Sequence, residues 1–177
     1  MKFSGTDLLG NVTIPEGNPT DVETSLEVSL DASSESYPLH TFNLLNDGVM
    51  EKIAKAFKLQ PSEIASATLE AGVVKAEGFT GPADGKVAVG LTNPDGSVSY
   101  AYSANGIGFW IAADGTASSW GDAPIYYEYD AGGYGLTVGH NPGHSEKGKT
   151  YTIKPTMVYN KGGKLHKAVI TIKMKFA

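Results

Sequence analysis

Trp110, Trp120, Tyr126, Glu128 and Asp130 are the residues whose types and spacing suggest chemistry. Trp110 sits in Ile107-Gly108-Phe109-Trp110-Ile111, where alternation sends Ile107, Phe109 and Ile111 to one face of a strand and Gly108 and Trp110 to the other. In Ile125-Tyr126-Tyr127-Glu128-Tyr129-Asp130, alternation places Tyr126 on the same face as Glu128 and Asp130. Aromatic rings can stack under the C–H faces of sugars while carboxylates take the hydroxyls, so these residues are candidates for a glycan site. Trp120, in Ser118-Ser119-Trp120-Gly121-Asp122, is a loop residue that could form the rim or a second platform. The competing reading is that other parts of the chain cover these rings, which then serve only as core.

The two carboxylates admit a second chemistry. Alternate residues on a strand lie about 6.5–7 Å apart at Cα. Glycoside hydrolases hold their paired carboxyl groups about 5–9.5 Å apart. Glu128 and Asp130 could therefore hydrolyse a glycoside, but spacing alone is weak support, and the reading favoured is a binding role with no catalytic residues.

Other patterns point less far. Gly143 to Thr150 spells a phosphate-binding loop, G-x-x-x-x-G-K-T. That chemistry needs a helix next, whose amides cradle the phosphates. The next segment is Tyr151-Thr152-Ile153-Lys154-Pro155, which alternates as a strand, so no nucleotide site is expected. Residues 51–72 look like a helix-turn-helix, but the second helix, around Ser62-Glu63-Ile64-Ala65-Ser66, offers no cation to read or hold DNA. His140 and His144 could grip a metal, yet no third ligand is apparent. The turns holding Asp95 and Asp114 bring one carboxylate each, where calcium takes six or more oxygens. No metal and no cofactor are expected.

Composition narrows the partners. The chain has 177 residues, 41% hydrophobic, no cysteine and a net charge of −5. It has the length for one domain with a real core. All 14 cations are lysine. Arginine is the preferred bidentate grip on phosphate and guanine, so its absence argues against nucleic acid. Charge is uneven: residues 1–146 hold all 19 acids and 6 lysines, whereas residues 147–177 hold 8 lysines and no acid. Those late lysines alternate with apolar residues, as on the wet face of a strand. No apolar run is long enough to span a membrane.

These residues need elements to place them. Residues 1–22 are read as an extended leader or linker, and residues 23–177 as a single domain. Ser25 to Asp31 alternates as a first strand, with Leu26, Val28 and Leu30 inward. Val49, Ile53 and Phe57 recur at helical spacing, Gln60-Pro61 closes that helix, and Ser62 is a candidate N-cap for a short second one. The helical insertion spans about 47–67. Beyond it, strand signals occur in 68–77, 86–92, 98–103, 107–112, 125–130, 134–139, 150–159 and 165–176. Tyr134, Leu136 and Val138 share a face, and Asn160 to Gly163 signals a hairpin before the last strand. About nine strands at this spacing suggest a mainly β fold, a jelly-roll-like antiparallel β-sandwich. The last strand should lie beside the first, with Lys173 and Lys175 opposing Glu27 and Asp31.

The order from Trp110 through the Gly115–Gly121 turn, the Tyr127-Glu128 strand, the Gly139–Gly143 loop and the Gly148–Tyr151 strand resembles an uncharacterised domain family of secreted or surface proteins of gut-type Bacteroidetes. The resemblance covers roughly residues 98–177. It implies a non-catalytic, extracellular binding module that accompanies carbohydrate-handling machinery, with a polysaccharide or glycan as partner. The location implied is secreted, periplasmic or cell surface. Met1-Lys2-Phe3 is followed by polar residues, so no export signal is read in this sequence. A structural or adhesion module with every aromatic in the core is the alternative.

Overall fold

A computed structural model describes residues 20–69, 74–76, 79–100 and 106–177. Most of the expected leader, part of the strand expected over 68–77 and half of the one over 98–103 lie outside the described residues. Along the chain come β1 (Thr20–Leu30), β2 (Pro38–Asn43), α1 (Val49–Phe57), α2 (Pro61–Ala67), β3 (Val74–Ala76), β4 (Phe79–Gly81), β5 (Val87–Thr92) and β6 (Val98–Ser99). Then come β7 (Ile107–Ile111), β8 (Ala117–Ser118), β9 (Ile125–Asp130), β10 (Gly135–His140), β11 (Thr150–Ile153), β12 (Pro155–Lys161) and β13 (Lys164–Phe176).

The chain folds as a β-sandwich. One sheet runs β1-β13-β12-β5-β6, with β11 also on β13, and the other runs β2-β10-β9-β7-β8. β3 and β4 form a separate hairpin. Alternation explains the layering. Ile107, Phe109, Ile111, Tyr127, Leu136 and Val138 of one sheet and Met157, Tyr159, Ile170, Ile172 and Met174 of the other are all buried in a common core. Pro155 splits the stretch 150–159 into two strands, because it lacks the N–H a strand interior requires and fits at a strand start. Gly162 and Gly163 take φ of 63° and 90°, the two left-handed positions of a tight hairpin turn, and this fixes β13 beside β12.

β1 does lie beside β13, but parallel to it, which is the departure from an antiparallel sandwich. Glu27 stands opposite Lys173 in the register and forms an ion pair with Lys175 at 2.7 Å. Asp31 lies past the paired region. Its carboxylate instead accepts the Ser33 amide and hydroxyl at 2.9 and 2.7 Å, and those bonds hold its pKa below the usual value.

α1 buries Val49, Met50, Ile53, Ala54 and Phe57 and keeps Glu51, Lys52 and Lys55 exposed. The Phe57 ring packs on Tyr159 at 5.5 Å between centroids. The second helix begins one residue before the expected cap. Pro61 fills its first position, where its missing N–H costs nothing, so Gln60 becomes the N-cap and its amide donates to Glu63 Oε1 at 2.8 Å. Among the described residues no helix is long and apolar enough to cross a membrane.

Candidate functional site

The outer face of the second sheet carries a groove of about 320 Å³. It is built by register. Trp110 on β7 stands opposite Tyr126 on β9, and Tyr126 stands opposite Gly139 on β10. The neighbouring row sets Gly108, Glu128 and Thr137 side by side. Trp110 and Tyr126 rings meet at 4.9 Å between centroids with a 47° tilt. Tyr37, just before β2, meets Trp110 edge-on at 6.2 Å and 82°. Tyr37, Trp110, Tyr126 and Glu128 thus line one concave surface.

Two glycines make the concavity. A Cβ on Gly139 would overlap the Tyr37 carbonyl oxygen and come within 2.6 Å of the Tyr126 ring. Tyr126 can therefore lie down only because that position has no side chain. A Cβ on Gly108 would meet the Tyr127 carbonyl at 2.9 Å and Glu128 Cγ at 3.3 Å, so this glycine keeps the space beside Glu128 open. Glycine inside a strand marks such close approaches.

Tyr126 is only 6% exposed, Trp110 is partly buried, Tyr37 is 41% exposed and Glu128 is exposed. Burial, with the Glu128 charge nearby, pushes the Tyr126 phenol up to about 12. Asp130 is also exposed, but it does not line the groove. Its Oδ1 accepts the Gly132 amide at 3.1 Å, which uses it to cap the β9–β10 turn. Trp120 is 57% exposed on the loop between β8 and β9, away from the lining. Its carbonyl accepts Asn141 Nδ2 at 3.2 Å. Of the five residues singled out in the sequence, three therefore share the groove. Tyr37 escapes sequence reasoning, because nothing in the sequence says that the residue before β2 meets β7 in space. Gly108 and Gly139 do carry a signal, as glycines inside alternating strands.

The remaining patterns fall apart chemically. His140 is fully buried, with Nδ1 2.7 Å from Ser145 Oγ, whereas His144 is exposed and lies 3.3 Å from the Pro142 carbonyl. No group of three or more His, Cys, Asp or Glu able to hold a metal occurs among the described residues. Asp95 accepts the Ser97 amide and Asp114 the Thr116 amide, each 2.9 Å away within its own turn. The segment after Lys149 is strand β11, so the Gly143–Lys149 loop does not lead into a helix. α2 exposes Ser62, Glu63 and Ser66, with no cation. Tyr134 is not on the expected strand face: it adopts a left-handed φ of 60° in the turn before β10, and its carbonyl accepts the Leu44 amide at 2.9 Å.

No curated protein and no solved structure matches the chain. Residues 36–164 match the family described as Domain of unknown function (DUF4859), and the chain belongs to that family. The matched stretch takes in both helices and every groove residue, and it ends at the start of β13.

Proposed function

We propose that this member of the DUF4859 family is a non-catalytic binding module that seats a carbohydrate on the outer face of its second sheet. The carrying observation is the open groove where Tyr37, Trp110 and Tyr126 meet Glu128 over two glycines. Ring faces offer stacking for sugar C–H surfaces, and the free carboxylate offers an acceptor for hydroxyls. A binding role is favoured over glycoside hydrolysis because the groove is lined by a single carboxylate while that of Asp130 is held by the Gly132 amide. Action outside the cell, as part of a secreted, periplasmic or surface protein of the Bacteroidetes kind, belongs to the same proposal.

A polysaccharide on this face should change tryptophan fluorescence. Trp110→Ala should weaken glycan binding by about 1–3 kcal/mol, the scale of an anchoring aromatic, and should cost little stability. One observation favours the structural or adhesion reading: Tyr126 is 6% exposed and lies packed between its neighbours. If Trp110→Ala unfolds the protein and no glycan in a broad panel binds, the rings are a second, outer core and that reading replaces this one.

A further inference from the structure

Glu128 is the one charged side chain among the described residues that line the groove. Among the described residues it makes no ion pair and accepts no hydrogen bond. Its neighbours across the sheet cannot compensate it. Gly108 has no side chain, and the Thr137 hydroxyl is engaged with that of Thr41 at 2.8 Å. The five strands of this sheet contain no lysine, and 8 of the 14 lysines come after residue 146. An uncompensated carboxylate thus stands beside three aromatic rings. Both features favour positive charge: the carboxylate by direct attraction, the rings by their negative faces.

We propose that the groove selects an amine-bearing sugar, a hexosamine unit with its ammonium free, over neutral and acidic sugars. This rests on the carbohydrate reading above and names the sugar class for the same site. The C–H face of the sugar stacks on Trp110. The ammonium sits over Gly108, against Glu128 and within reach of the ring faces. A uronate or sulfate at that place meets Glu128 with like charge and, among the described residues that line the groove, no cation to offset it, so acidic glycans are rejected.

The test compares glucosamine oligomers, N-acetylglucosamine oligomers of equal length, a neutral glucan and a polyuronate by titration calorimetry. The free-amine oligomer should bind about 5- to 10-fold tighter than the acetylated one, the scale of an exposed cation–π contact with an exposed ion pair. The preference should shrink as salt rises. Glu128→Gln, a change at an exposed position that should leave the melting temperature unchanged, should abolish the preference, bringing the affinity for the free-amine oligomer down to that for the acetylated one. Equal affinity for the two oligomers in the wild type, or a preference that survives Glu128→Gln, overturns the proposal. Neutral glucan binding without an amine preference sinks this inference alone. Failure of every glycan to bind removes the carbohydrate reading and this inference with it.

Discussion

Tyr126 shows what one covered phenol does to the groove. It lies over Gly139 and under Trp110, with its hydroxyl pushed up to about 12 by burial and by the charge of Glu128. The folded state therefore prefers the neutral phenol more than the unfolded chain does. With the unfolded value near 10.0, this stabilisation is whole below that pH and is lost as pH rises towards 12. Urea midpoints should fall over that alkaline window, and Tyr126→Phe should lessen the fall, since phenylalanine keeps the ring and cannot ionise. An equally steep fall in Tyr126→Phe would assign the alkaline loss elsewhere. No local pattern warns of this covering. Alternation puts Trp110, Tyr126 and Glu128 on one face, because a strand's period is fixed by its backbone. How far each ring is covered depends on register with β10 and β2, which the residues beside it do not encode.

At the scale of the elements, the helix is legible in the sequence because its apolar residues recur at 3.6-residue spacing and make a single buried stripe. Phe57 closes that stripe at 3% exposure, against Tyr159 of β12. Phe57→Ala should cost about 3–5 kcal/mol, because the ring leaves a cavity that the β-sheet beneath cannot fill. Urea unfolding checks this, and a loss below about 1 kcal/mol would mean that the site collapses freely. The cap of the second helix differs from the expected one for a local reason: Ser62 is a cap by type, but Pro61 before it is already suited to the first helical position. The parallel pairing of β1 with β13 is equally hidden. Register chemistry can bring Glu27 near lysines with the strands running in either direction, so the charge pattern specifies the neighbour and leaves the direction open.

For the whole molecule, the question is whether two sheets make one cooperative unit. Apolar alternation indicates two layers, since each sheet must bury one face. The polar ties between the layers are not readable, because they join residues far apart in sequence. The Tyr127 hydroxyl, buried in the core on β9, donates to the Gly90 carbonyl on β5 of the opposite sheet. Asn93 Oδ1, after β5, accepts the Ala117 amide on β8 at 2.9 Å. Both bonds cross the sandwich, and the shared apolar core spans both sheets and α1. Unfolding one layer would strip these groups of their partners and expose the inner face of the other. The layers should therefore unfold together, with far-ultraviolet dichroism and tryptophan fluorescence tracing one coincident urea transition. Fluorescence reports on the second sheet, because Trp110 is in β7 and Trp120 comes just after β8. Tyr127→Phe removes one tie while keeping the ring, so it should lower stability by about 1 kcal/mol, the net worth of a typical hydrogen bond. The two probes should stay coincident in that variant, since the core still joins the layers. Separation of the probes in the wild type would show that the sheets are independent units and that the core between them is too weak to couple them.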